Sequence, residues 1–427
     1  MQLFDVLKER AGIPTNDFMA FLFARKTRPE RLEHYGMKWS KSDPTHRTYL
    51  YDCAGWTPMQ CQSDGTVDRG SWTDNRVFFL KNLYPVMCKS DGTEDYKLSK
   101  SNHAYKEDGV TASDVSNTSY NGNAMSCFDC RIWIKFFDDG TDQGFEVANY
   151  QVDESFVDWP YIRADGSHAD KLYYPMFEGT VVDGKLRSIG SGKAQSGTTI
   201  TQELGYAQAN DGRGGNSVWE IGDWSHHVWF TCLCMLVSKS TCPEDALGAG
   251  NSNGGRDATG FVTNGACIDK GAFWGKPHSS TDSDNVYPVK TFFCENMWAN
   301  RHKRTLGFYN APWQQGWFVK TSPPYVISDS YYPDYSGFND VPINTGWVEE
   351  LQLTSCGFLP KTSGSVTTNF GGYLVAPQSY GGKPLALGGT CKSGAACGPW
   401  FMDLQYGISD TQWWIGASLY LVQPEGV

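Results

Sequence analysis

The chain has 427 residues, is 40% hydrophobic and 19% charged, and carries 16 Trp within an aromatic content of 14%. That composition excludes a disordered chain, which is poor in aromatic residues and rich in charge. A formal net charge of -11 argues against nucleic acid as the main partner, since such proteins need a surplus of Lys and Arg. Residues Met1 to His34 are the best helical candidate, with Leu3, Val6 and Leu7 on one face, a break at Pro14, and Phe18, Phe21 and Leu22 inward on a second segment. Arg25, Lys26, Arg28 and Arg31 cluster beside it, as a solvated helix end or a docking segment for a larger assembly. Met1 to Leu7 shows no basic region followed by an apolar run, so no secretory signal is expected. No run approaches the ~18 apolar residues of a membrane span, so no membrane insertion is expected.

From about Thr48 to Arg187 the pattern is strand and turn. Ser63-Asp-Gly65, Ser90-Asp-Gly92, Asp139-Gly140 and Asp183-Gly184 are hairpin signals, because glycine supplies the positive φ such turns need. Between them the apolar runs Val77–Leu80, Ile132–Phe137 and Phe145–Val147 read as strands. Ser188 to Thr199, rich in Gly, Ser and Thr, reads as a junction. Trp219 to Val237 reads as a helix, and many short strands follow the Gly-rich stretch Gly248–Gly255. The expected fold class is α+β, in three parts: an N-terminal helical docking segment over 1–47, a β-rich intermediate domain over 48–199, and a ligand-binding domain over 200–427.

Several of the 13 Cys, such as Cys53, Cys88, Cys294 and Cys356, stand singly in apolar contexts and read as buried thiols. Only Cys127-Phe-Asp-Cys130 has the spacing of half a zinc site, with His226 and His227 near Cys232 as a weaker set. A structural zinc needs more, and no metal or cofactor is expected.

The last strands are the most legible. Trp400, Met402 and Leu404 alternate with Phe401, Asp403 and Gln405, and Trp413, Ile415, Ala417, Leu419 and Leu421 alternate with Trp414, Gly416, Ser418 and Tyr420. Period two marks strands buried on one face. The second set of each run, with its charge, amide and aromatic rings, is placed on the open side. That mixture suits a binding surface.

The segment Ala386-Leu-Gly-Gly-Thr-Cys-Lys-Ser-Gly-Ala-Ala-Cys-Gly-Pro-Trp-Phe-Met-Asp-Leu404, followed by Trp413-Trp-Ile-Gly-Ala-Ser-Leu419, resembles the variable region of proteins diversified by diversity-generating retroelements. Leu172–Arg187, Gly248–Arg256, Gly271–Gly275 and Glu295–Arg301 resemble the same family, and the likeness runs from about Lys81 to the C-terminus. It is nearest to tail-fibre-like proteins of gut bacteriophages, built on a C-type-lectin-like fold related to that of formylglycine-generating enzymes. The resemblance implies a receptor-binding protein of a phage virion, not an enzyme. Its implied partners are a host cell-surface receptor, protein or glycan, and other virion tail proteins, with a homotrimer as the assembly. Carried over by position, Trp400, Leu404, Trp413, Ile415, Gly416, Ala417 and Leu419 match scaffold positions. Tyr373, Val375, Thr390, Lys392, Ala395, Ala396, Phe401, Asp403, Gln405, Tyr406, Asp410, Gln412 and Trp414 match variable, ligand-facing ones. The chain departs from the pattern at Gly388, where a larger residue such as Arg is common, and at Cys391 and Cys397 within the variable loop.

Three other readings stand beside this one. A virion structural protein would use the same domain for assembly contacts. A formylglycine-generating-type oxidase would use Cys391 and Cys397 as reactive thiols. A glycan hydrolase would need two carboxylates, with Asp153, Glu154 and Asp158 or Glu349 and Glu350 as the nearby sets.

Overall fold

The computed structural model describes residues 31–255, 258–278, 286–311, 315–365, 369–377 and 381–422. The helical expectation over Met1 to residue 30, with its basic cluster up to Arg28, lies outside them. From His34 the chain is strand: His34–Ser40 pairs antiparallel with Arg47–Tyr51, so the end of the expected helical segment is a hairpin. Strand makes up 33% of the described residues and helix 12%, with one sheet curled into a half-barrel; the fold is β-rich.

Each sequence turn named above does join two antiparallel strands: Gln60–Cys61 to Val67–Asp68, Leu83–Lys89 to Glu94–Lys97, Trp133–Asp138 to Asp142–Ala148, and Thr180–Val182 to Lys185–Arg187. The run Val77–Leu80 differs from expectation. It is a single helical turn, Phe78–Lys81, whose three aromatic and aliphatic side chains are all buried. A short apolar run has no period of its own, so burial on every side fits either element.

The strands form three main sheets. One is four-stranded, in the order Arg47–Tyr51, His34–Ser40, Asp142–Ala148, Trp133–Asp138. A six-stranded sheet runs Trp219–Ile221, Leu419–Leu421, Leu172–Pro175, Gly122–Phe128, Leu83–Lys89, Glu94–Lys97. Strands from both sides of residue 199 share it. The third sheet is nine-stranded and carries the C-terminal segment. Its centre is His302–Asn310, Pro384–Leu387, Met402–Asp403 and Tyr373–Val375, and Ile415–Gly416 pairs parallel with His302–Asn310.

The helix Trp224–Ser238 sits where the three sheets meet. Asp223 caps it, accepting from the His226 amide at 2.9 Å, and Lys239 ends it in the left-handed region at φ 50°. The expected helix therefore starts five residues late, because Trp219–Ile221 is drawn into the six-stranded sheet. All its residues except His227 are buried, as its apolar character on every face requires. Each sheet bonds to it. Tyr49 donates to the Leu236 carbonyl at 2.8 Å, Tyr174 to the His226 carbonyl at 2.9 Å, and Trp224 Nε1 to the Cys356 carbonyl at 3.0 Å. The main core runs from Tyr35 to Tyr420 around this helix. Leu233, fully buried at its middle, is the place to test that role: Leu233→Ala is expected to lose about 2–5 kcal/mol, read as a lower melting temperature by circular dichroism. Among the described residues no helix is long and apolar enough to cross a membrane.

Candidate functional site

Asp403 ends the strand Met402–Asp403, deep in the middle of the nine-stranded sheet, with Ala386 opposite it on one side and Val375 on the other. Sequence periodicity places Phe401 and Asp403 on an open face. Each is only 4% exposed, because loops rise around them and turn that face into the floor of a concavity. Its volume is ≈ 470 Å³ and its lining is His302, Val375, Lys392, Ser393, Phe401, Asp403, Gln405, Tyr406, Trp413 and Trp414.

The walls are aromatic. Trp413 and Trp414 meet edge to face at 5.2 Å and 89°, and Tyr406 approaches Trp414 at 6.1 Å and 69°. Lys392 lays its ammonium over Trp414, 3.3 Å from the ring centroid, a cation–π arrangement. On the floor, the His302 ring lies 5.0 Å from Phe401, which stacks on Tyr373 at 6.1 Å and 19°.

Burial sets the charges. It pushes the Asp403 carboxyl up to about 7, against the pull of the Gln405 amide, Lys392 and Lys383. Burial also drives His302 down to about 3, helped by Lys303 and Lys392. His302 is therefore neutral at pH 7, and its 3.7 Å approach to Asp403 Oδ2 is not an ion pair. Asp403 Oδ1 accepts from the Gln405 amide at 3.0 Å. Among the described residues, Oδ2 has no hydrogen bond.

Seven of the expected ligand-facing residues line this one concavity: Val375, Lys392, Phe401, Asp403, Gln405, Tyr406 and Trp414. Tyr373 lies behind Phe401, half-buried and also packed against Trp347 at 5.4 Å. The other five serve elsewhere. Thr390 is fully buried. Its hydroxyl lies 3.2 Å from that of Ser393 and accepts from the Lys392 amide at 3.2 Å. It shapes the turn that carries Lys392, and it faces no ligand. Ala395 and Ala396 belong to the helical turn Gly394–Ala396, outside the concavity. Asp410 folds its carboxylate onto the Gly407 amide at 2.7 Å, and Gln412 accepts through its carbonyl from the Gly197 amide at 3.1 Å.

The scaffold expectation needs one change. Trp400, Leu404, Ile415, Gly416, Ala417 and Leu419 are buried, but Trp413 is half-exposed and forms wall, resting on Phe261 at 5.4 Å. The run from Trp413 to Leu421 is not one strand. Ile415–Gly416 pairs in the nine-stranded sheet and Leu419–Leu421 in the six-stranded one. Its alternation breaks at the crossing, and Gly416, Ser418 and Tyr420, expected on an open side, are buried. A Cβ at Gly416 would stand 2.1 Å from the Gln195 carbonyl oxygen, so only glycine fits.

The departures noted in the sequence have physical reasons. Gly388 has φ +88°, and a Cβ there would stand 3.1 Å from the Trp298 Cα; the tight backbone excludes a larger residue. Cys391 and Cys397 are free and buried. Burial, opposed by Arg301, pushes the Cys391 thiol up to about 11, and burial raises Cys397 as well. Neither holds the thiolate that a nucleophile needs at pH 7. Among the described residues no three His, Cys, Asp or Glu side chains gather as metal ligands.

Sequence reasoning missed His302 and Ser393. His302 belongs to the charged run Arg301-His302-Lys303-Arg304, which is buried throughout. Arg304 pairs with Glu203 at 2.8 Å, Lys303 with Glu178 at 3.0 Å, and Arg301 lies over the Phe261 ring at 4.0 Å. The partners are far apart in sequence, so no local signal marks them.

A larger concavity of ≈ 660 Å³ lies at Arg163, Arg213 and Glu220, but no aromatic ring lines it. Aromatic side chains carry most binding energy at recognition sites, which favours the concavity at Asp403. The chain matches no protein-family model and no curated protein.

Proposed function

We propose that this protein is a receptor-binding protein of a phage tail, attaching the virion to a ligand on the host-cell surface through the concavity at Asp403. On this reading the half from about residue 200 is a C-type-lectin-like domain, the chain works as a homotrimer alongside other tail proteins, and it catalyses no reaction. The observation that carries the reading is the convergence of Lys392, Phe401, Asp403, Gln405, Tyr406 and Trp414 in one aromatic-walled hollow. A sheet beneath holds the floor, so the site is pre-organised and little order is lost on binding. Several weak copies on one particle then act together, since linked sites gain from effective concentration.

The test uses the full chain, because the sheets bind both halves into one core. Fluorescently labelled protein is incubated with a panel of intact gut bacteria and counted by flow cytometry. Trp414→Ala is expected to weaken binding to the responsive strain by about 2 kcal/mol or more, roughly 30-fold, as for a central aromatic anchor. Trp414 is half-exposed, so the variant is expected to fold. Equal binding by the parent, Trp414→Ala and Tyr406→Ala would sink the assignment and favour a face used for assembly contacts.

A further inference from the structure

We propose that the ligand of this concavity is a neutral pyranose ring of a surface glycan; this rests on the binding-site reading above and names its ligand class. The floor presents one free acceptor. Asp403 Oδ1 is held by the Gln405 amide at 3.0 Å, while Oδ2 lies 3.7 Å from Nε2 of the neutral His302, beyond hydrogen-bond length. Asp403 lines the hollow, so a ligand's donor can reach Oδ2, and a sugar hydroxyl is such a donor.

The rim supplies the complementary groups. Lys392, Gln405 and Ser393 line the same hollow and can meet the remaining hydroxyl oxygens. Lys392 already covers one face of Trp414 at 3.3 Å. The same ammonium lies 5.5 Å from the Trp413 centroid, and Tyr406 remains as a ring surface on which the C–H face of a pyranose can lie. Charge narrows the class further. Lys392 and the Asp403 carboxyl stand in one hollow, so neither sign of charge is favoured throughout it. A neutral polyol, which both donates and accepts at each hydroxyl, satisfies the two together.

Size and depth favour a sugar over a protein epitope. The hollow of ≈ 470 Å³ lies within the range of small-molecule sites, about 300–1,000 Å³. A protein partner instead covers roughly 800 Å² of surface with some 20–30 residues. Asp403, at 4% exposure, lies too deep for a flat protein face to touch.

The experiment is saturation-transfer NMR on the full chain with a panel of methyl pyranosides: glucoside, galactoside, mannoside, N-acetylglucosaminide, fucoside and rhamnoside. At least one is expected to give a saturable signal at millimolar concentration. Asp403→Asn, which exchanges one acceptor edge for a donor, is expected to weaken that binding roughly tenfold, and the same sugar is expected to compete with cell attachment. No signal from any pyranoside, or a signal that Asp403→Asn leaves unchanged, overturns the inference. Host cells provide a second arm. Attachment lost after periodate oxidation supports a glycan. Attachment that survives periodate and is lost after protease treatment overturns the glycan inference while leaving the binding site in place. The binding-site reading fails separately, if Trp414→Ala attaches as well as the parent.

Discussion

Arg304→Met is expected to destabilise the protein by about 3–5 kcal/mol, because it leaves a buried carboxylate without its partner. Arg304 and Glu203 are 1% and 0% exposed and meet at 2.8 Å. Burial pushes Glu203 up to about 7 even with Arg304 pulling it down. Without Arg304 the folded-state value rises further, above its ordinary 4.5. A carboxyl whose folded value is raised keeps a proton that the unfolded chain releases, so stability falls as pH climbs through that window. The deficit of the variant is therefore larger at pH 8 than at pH 5, by thermal melts at the two values. Glu203→Leu combined with Arg304→Met is expected to recover most of the loss. An Arg304→Met protein that melts with the parent at pH 8 would show that the pair holds nothing. The guanidinium also donates to the carbonyls of Thr198 and Asp410. The loop that brings Tyr406 to the wall is thus tied to the same buried charge.

Asp403→Asn is expected to act in the opposite direction and raise stability at high pH. The folded carboxyl titrates near 7 against an ordinary 3.8, with burial as the cause. Lys392 and Lys383 partly oppose that shift, while neutral His302 and Tyr406 face the carboxyl without charge. Above pH 7 the folded state carries a charge poorly compensated by its surroundings, on the order of 4 kcal/mol by linkage. Asparagine keeps the oxygen that accepts from the Gln405 amide and never ionises. The melting temperatures of parent and variant are expected to coincide near pH 4 and to separate in favour of the variant by pH 8. Curves that stay parallel between those limits would contradict the assignment. A residue that lowers stability where it stands, at the floor of a hollow, is what a stability–function trade-off produces.

How much of this was legible follows the range of the interactions. Turns written in neighbouring residues, such as Ser90-Asp-Gly92 and Asp183-Gly184, were readable because Gly92 and Gly184 adopt positive φ, at 90° and 74°. Lys392, Asp403, Gln405, Tyr406 and Trp414 were readable as candidates through resemblance and do converge on one hollow. The misplaced residues depend on distant partners. Thr390 matches a ligand-facing position by resemblance, and only the fold shows it fully buried in the turn at Cys391, whose amide donates to the Asn300 carbonyl at 2.9 Å. Trp413 falls inward by alternation, yet it precedes the paired residues Ile415–Gly416 and lies outside any strand, where period two does not apply. The charged run Arg301–Arg304 reads as surface because its acids, Glu178 and Glu203, lie about a hundred positions upstream.

The placement of Leu419–Leu421 bears on how the chain is made. This strand does not close the edge of the six-stranded sheet; it lies between Trp219–Ile221 and Leu172–Pro175. Among the described residues Trp219–Ile221 has no other neighbour in that sheet. During synthesis the two strands stand apart, with Leu172–Pro175 exposing an unpaired ladder edge, until Leu419–Leu421 has left the ribosome. Such edges invite pairing with other chains, and contacts so distant in sequence form slowly. A nascent copy is thus more prone to aggregation before Leu419–Leu421 arrives, and a message cut short before Leu419 yields a product with that edge left open.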